Sequence, residues 1–291
     1  EVSIHGNPPF SWEVGQRPVQ HAVNADFVTG ETGIWGFSAL TVGLNAEFYK
    51  AATPGLPFQI AMQRGVRSYH DQTTRPLNDI RWELLTLLSH GGWVTMVDKT
   101  AFYGWLDPVA YERFETVFDE VHKKRTHFGH QPVYEVGLYF SSRTRDWVGR
   151  DNPADYFRAF QGAHKAMVYE HIPWGVILDE NVSLETLQQF PVVLLPNVAI
   201  LSSDEVAVLR KYVEGGGQLI VTGGTATCER MGNPTAESAL AELIGARVVQ
   251  RMNSTDNWVR FSGEDVVASN KNLKQLIPHG RTDWPFLVRG P

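Results

Sequence analysis

The sequence holds a single cysteine, Cys228. That excludes an internal disulfide and leaves a cytoplasmic location open, which is the location expected here. The spacing of His and Cys matches no zinc pattern, so no metal site is expected. No Gly-x-Gly-x-x-Gly string opens a strand–helix turn, so dinucleotide binding has no support, and no cofactor is expected. No apolar run approaches the roughly 20 residues that cross a bilayer, so no membrane partner is expected. The 26 Lys and Arg are outnumbered by 32 Asp and Glu, and the net charge is −6. No stripe exists to track a phosphate backbone, which argues against nucleic acid. The one short basic run, Lys123-Lys124-Arg125, reads as a solvated helix end, where positive charge is favoured. The chain begins at Glu1 with neither Met nor a signal peptide, which leaves processing and fragmentation both open.

What remains is an ordinary globular composition, 43% hydrophobic and 20% charged over 291 residues, enough for one large or two ordinary domains. The clearest pattern lies between Tyr134 and Val249, where strand-length apolar runs alternate with amphipathic segments. Residues 134–140, 174–178, 192–196 and 219–221 read as strands. Val192-Val193-Leu194-Leu195-Pro196 is apolar throughout, as in a parallel strand covered on both faces. Val193, Leu194, Leu195, Ile220 and Val221 are therefore expected to be buried. Asp155–His171 reads as a helix with one apolar face. Ser183 opens a short helix, and Ser202-Ser203-Asp204-Glu205 supplies an N-cap and an acidic first turn. Gly215-Gly216-Gly217 stops that helix. Residues 236–244 read as a further helix and Arg247-Val248-Val249 as a returning strand. This alternation implies a doubly wound α/β domain.

Residues 1–130 carry about four more strand–helix units. Strands are expected at 2–5, 26–31, 58–62 and 93–98, and helices at 38–52, 77–89 and from Asp107-Pro108 to about Lys124. Glu31, Gln63 or Arg64, and Asp98 fall at the C-terminal ends of strands, the place where a (β/α)8 barrel builds its active site. Four units make half a barrel, and an open half exposes two strand edges and one sheet face. After Val249 the pattern weakens. Trp258–Phe261 reads as a strand, and residues 262–291 show no clear periodicity, as in the start of a small β region.

The order of these parts resembles a known group. The string DKTAFYGWLDPVAYERF (98–114) is similar to the last barrel strand, loop and helix of α-L-fucosidase-like and family 42 β-galactosidase-like glycoside hydrolases. The strings VLLPNVAILS (193–202) and YVEGGGQLIVTG (212–223) resemble the glutamine-amidotransferase-like β-galactosidase trimerisation domain. The resemblance covers roughly residues 20–250. It implies the second half of a (β/α)8 TIM barrel at 1–130, a class I amidotransferase-like, flavodoxin-like domain at 131–250, and the start of a C-terminal β region at 251–291. It also implies that the amidotransferase-like domain is non-catalytic. The family barrel has eight strands and its nucleophile lies on an earlier one, which this chain lacks. The chain is then a fragment, one half of a split enzyme, or a remnant that assembles otherwise. A carbohydrate substrate follows, with a homo-oligomer or a missing N-terminal barrel half as partner.

Glu31 is the strongest catalytic candidate, because retaining glycosidases need two carboxyls, one of them a general acid. Glu31 ends a strand, lies between glycines and precedes Trp35, an aromatic suited to excluding water and raising a carboxyl's pKa. Its alternative is a loop or capping carboxylate. Asp98 and Arg64 are candidates for binding sugar hydroxyls. For Asp98 the favoured reading is an Asx turn or an ion pair with Lys99 or Arg64. Trp35, Tyr69, His70, Tyr103 and Trp105 fall in loops after strands, suited either to flooring a sugar ring or to packing. Trp82 and Trp93 read as core. Cys228 lies several residues past the turn after the fourth strand of its domain, and the turn itself, Thr222-Gly223-Gly224-Thr225, has no Cys or Ser at its apex. Two functions remain: hydrolysis of O-glycosidic bonds, or a non-catalytic oligomerisation module.

Overall fold

The computed structural model describes residues 3–6, 17–31, 40–66, 73–98, 103–248, 256–262 and 283–289. In chain order the elements are β1 (Ser3–Gly6), α1 (Pro18–Ala22), β2 (Phe27–Glu31), α2 (Thr41–Ala52), β3 (Phe58–Gln63), α3 (Leu77–Ser89), β4 (Trp93–Val97) and α4 (Pro108–Lys124). There follow β5 (Val136–Phe140), α5 (Ser142–Trp147), α6 (Pro153–Tyr169), β6 (Trp174–Leu178), α7 (Leu184–Leu187), β7 (Val192–Pro196), α8 (Ser203–Glu214), β8 (Gln218–Thr222), α9 (Ala241–Ile244), β9 (Asp256–Ser262) and β10 (Asp283–Arg289). Two compact units result, Glu1–Ala246 and Arg247–Pro291. The second contains β9 and β10, paired antiparallel from Asp256↔Arg289 to Ser262↔Asp283.

The first unit is α/β, with two four-stranded parallel sheets. In the first, the strand order is β1-β2-β3-β4, each strand beside its predecessor in sequence. In the second the order is β6-β5-β7-β8, so the winding reverses after β6. Local signals place the helices as expected. Asp107 accepts the Val109 N–H at 3.1 Å and Pro108 begins α4. Ser202 and Glu205 form a reciprocal capping box on α8.

Helix α2 ties the two sheets together. Residues 42–49 are all buried, whereas an ordinary surface helix buries one stripe. Val42, Ala46 and Tyr49 join the core of the first sheet, with Val28, Ile60, Met62, Ile80, Leu84 and Phe114. Leu44, Phe48 and Ala52 join the core of the second, where Phe48 meets Phe140 edge-on at 5.0 Å. A third core, on the other face of the second sheet, packs Tyr139, Ile177, Val193 and Leu195 under Leu187, Leu209 and Tyr212.

Several expectations are corrected. Val193, Leu194 and Leu195 are buried, but Val221 is only half-buried and Ile220 is 48% exposed. Ile220 pairs with Leu194 and so shares its face, and β8 is the outer strand. The residues of α2 and α6 that cover this face pack on β5, β6 and β7. Trp82 and Trp93, expected in the core, are 43% and 58% exposed. The buried stripe of α3 is Ile80, Glu83, Leu84 and Leu87, which leaves Trp82 outside it. Trp93 starts an edge strand, on the face away from the helices. The last helix is only Ala241–Ile244, stopped by Gly245 at φ 65°, and Arg247 and Val248 form no strand. Val249 lies outside the described residues. Strand β10 forms where the sequence shows no periodicity.

Candidate functional site

In a parallel strand successive side chains alternate between faces, and residues paired across strands share one. The register therefore sorts the first sheet. Val28, Ile60, Met62, Val94 and Met96 belong to the core under the helices. Their alternates are Thr29 and Glu31 on β2, Gln59, Ala61 and Gln63 on β3, and Trp93, Thr95 and Val97 on β4. Glu31 pairs with Ala61, Ala61 with Thr95, and Gln63 with Val97. This second face is the more polar one, and at its edge Trp93 and Val97 are exposed. Glu31 thus stands half-buried at the C-terminal end of β2, one pleat behind Gln63.

Its position depends on Gly30. A Cβ there would fall 2.4–2.6 Å from Cε2, Cζ and Oη of Tyr49, so only glycine lets that buried ring press against β2. The Tyr49 phenol is pushed well above its ordinary pKa, by burial first and by the charge of Glu31 second.

Beyond the strand ends lies a network of ion pairs. Arg64 follows β3, and its amide donates to Val97 O at 3.0 Å, extending the ladder. Its Nη1 donates to Asp98 Oδ1 at 3.1 Å, and Nη2 donates to Asp107 Oδ2 and to Thr74 Oγ1. The side chains of Arg64 and Asp98 are 7% and 6% exposed. Arg75 is fully buried, 2.5 Å from Glu83 Oε2, and donates to the Gln63 carbonyl at 3.1 Å. A buried pair of this kind is a weak source of net stability, but removing one partner is costly. Here it anchors the end of β3. Arg64 and Asp98 are brought together, as the ion-pair reading of Asp98 has it. Trp105 is 51% exposed in the segment between β4 and α4, with Tyr103 and Leu106 also exposed. Trp35, Tyr69 and His70 lie outside the described residues. Sequence reasoning missed Thr74, Arg75, Glu83 and the second role of Asp107. Asp-Pro announces a helix cap, and nothing local announces that the other carboxylate oxygen holds an arginine 43 positions earlier.

The second sheet differs at the same end. In doubly wound sheets the ligand crevice lies past the strand ends where the winding reverses. Here that ground is occupied by the chain's own groups. Tyr139 Oη donates to Glu205 at 2.5 Å, and Arg143 pairs with the same carboxylate. Asp179 accepts from Ser141 Oγ and from the Arg143 amide, each at 3.0 Å, and burial raises its pKa. The turn after β8 is closed by Asn197 Oδ1, which accepts from the Gly224 amide at 2.9 Å. Cys228 lies beyond it, in backbone bridges to Ile200 and Pro234. Among the described residues, no group of three or more His, Cys, Asp or Glu is placed to hold a metal, and no helix is long and apolar enough to cross a membrane.

No curated protein matches the chain in sequence. Solved structures match in fold. The β-galactosidase of Bacillus circulans sp. alkalophilus aligns with a TM-score of 0.70 at 14% identity, over 87% of this chain and 41% of that one. The β-galactosidase of the haloarchaeon Halorubrum lacusprofundi aligns at 0.68 and 14% identity, over 89% and 42%. An α-L-fucosidase of Paenibacillus thiaminolyticus aligns at 0.55 and 15% identity, over 66% and 29%. The chain thus spans about two fifths of the length of these β-galactosidases. A family model described as the β-galactosidase trimerisation domain matches residues 134–277. The matched stretch, just under half of the chain, is similar to that domain family.

Proposed function

We propose that the chain is part of a glycoside hydrolase that cleaves O-glycosidic bonds, with β-galactosides as the first substrates to test. In this reading residues 1–130 are the second half of a (β/α)8 barrel, 131–250 a class I amidotransferase-like domain, and 251–291 the start of a small β region. The carrying observation is the first sheet: sequential parallel strands, helices on one face, and on the other a polar face with Glu31 at a strand end. Parallel sheets are buried on both faces in nearly all folds, and closure into a barrel both covers that face and removes the edges. Four further strands come from more of the same polypeptide, a partner chain or a second copy. Glu31 serves as general acid or sugar contact, beside a nucleophile on those strands. Trp35 and Trp105 offer stacking surfaces, and Arg64 and Asp98, oriented by their ion pair, hold the rim where sugar hydroxyls bind. A cytoplasmic enzyme fits the single cysteine.

The test is leaving-group dependence. Glu31→Gln in the complete enzyme lowers turnover of alkyl galactosides by about 10²–10⁴-fold, and of nitrophenyl galactosides far less, because only the former need protonation. Equal losses on both remove the acid role. A second reading, a non-catalytic oligomerisation module, is favoured by the family match at 134–277 and by the filled crevice of the second sheet. The isolated domain would then associate and bind no substrate.

A further inference from the structure

Helix α3 carries Trp82, Thr86 and Ser89 along one stripe, and this stripe lines two adjoining hollows away from the strand ends. The first, about 480 Å³, lies between α2, α3, α6 and the start of β6. Its buried charge is Glu47, only 3% exposed on its side chain. That carboxylate accepts from Lys50 Nζ at 2.6 Å and from Tyr134 Oη at 2.7 Å, and His90 Nδ1 lies 2.8 Å from it. Lys50 cancels its charge, so the hollow is polar and close to neutral. Trp174 lines it as well, with the His164 ring against it at 4.5 Å and the His90 ring at 5.8 Å. Gly43 lets the His90 ring sit against α2, since a Cβ there would come 2.8 Å from His90 Nε2.

The second hollow, about 630 Å³, runs on from Trp82 towards Phe128. Its cations are already engaged: Arg81 donates to both oxygens of Glu120 at 2.6 and 2.8 Å, and Lys124 pairs with the same carboxylate at 2.5 Å. An anionic ligand therefore finds no free charge among these groups. What the two hollows offer instead is a half-exposed indole between them, further aromatic rings at Trp174 and Phe128, and hydroxyl, imidazole and amide side chains between the rings. Flat apolar faces joined by hydroxyls match that pattern. We propose that this groove binds a neutral oligosaccharide, with one ring stacked on Trp82, as a site separate from the strand-end carboxylates.

The probes are β-1,4-galactotetraose and cellotetraose, titrated calorimetrically into the full chain. At least one is expected to bind. Trp82→Ala should weaken binding about tenfold or more, while Trp82→Phe keeps it within about threefold. Trp82 is exposed enough that neither change should unfold the protein, which circular dichroism checks. Glu31→Gln should leave the affinity unchanged, and Trp82→Ala should leave nitrophenyl galactoside turnover of the complete enzyme unchanged, so this site and the catalytic reading fail separately. No binding of either saccharide at about 10 mM, or binding indifferent to Trp82→Ala, overturns the proposal. So does a wild type that binds neither saccharide while Trp82→Ala dissociates an oligomer, which would make the groove an interface between copies.

Discussion

Replacing Gly30 by alanine tests how the strand that presents Glu31 is built. The added Cβ would lie 2.4 Å from Cε2, 2.5 Å from Cζ and 2.6 Å from Oη of Tyr49. All three are well inside van der Waals contact, so the ring or the strand must move. The ring has little room, because Tyr49 is 3% exposed and packed into the core with Val42, Ala46 and Val28. Overpacking of this kind costs about 1–3 kcal/mol. Tyr49→Ala alone should cost about 3–5 kcal/mol through the cavity it leaves. In that background the alanine at position 30 has space, so the double variant should be more stable than the sum of the singles by about 1–3 kcal/mol. Urea denaturation of the four proteins measures this. A Gly30→Ala protein within about 0.5 kcal/mol of wild type, or strict additivity with Tyr49→Ala, refutes the argument. If the strand rather than the ring yields, Glu31 shifts with it, and on the proposed function a displacement near 1 Å costs about 10²-fold in turnover of the complete enzyme.

Two further outcomes bear on the rest of the first unit. Burial first, then the nearby charge of His90, depress the His164 pKa to about 4. The unfolded chain therefore takes up a proton between pH 6.5 and 4 that the folded one refuses, and stability falls as pH drops through that window, by about 3 kcal/mol in all. Glu47 and His90 share the hollow, and Glu47, held below its ordinary value despite burial by His90 and Lys50, adds its loss only at lower pH. Denaturation midpoints from pH 7 to 4 should fall for the wild type and flatten for His164→Phe; parallel curves would contradict this. Leu194→Asp places an unpaired charge inside the second sheet at a cost of several kcal/mol and should unfold it, and an equally stable variant would remove the assignment of that core.

Much of the fold was legible because it rests on short-range signals. Asp107-Pro108 starts α4, Ser202 with Glu205 caps α8, and the all-apolar Val192–Pro196 is a covered parallel strand. Errors came where a residue's surroundings are set by strand order or by a distant element. Ile220 reads like Leu194 in sequence, yet one is in an outer strand and the other in an inner one. Trp82 reads as core by composition, but α3 turns Ile80 and Leu84 inward instead. The double burial of α2 follows from a second sheet that begins some 80 residues later. At the strand ends Glu31 and Asp98 were singled out from position alone. The clamp of Arg64 between Asp98 and Asp107 needed three segments to meet and left no local trace.

The central claim is that the first sheet, with its more polar face, is half of a closed barrel. Sedimentation of the isolated chain, with galactoside hydrolysis assayed on the same fractions, puts that claim to the test. On the half-barrel proposal, the chain self-associates or captures a partner, with no turnover until four further strands are supplied. A monodisperse monomer with full glycosidase activity would contradict it.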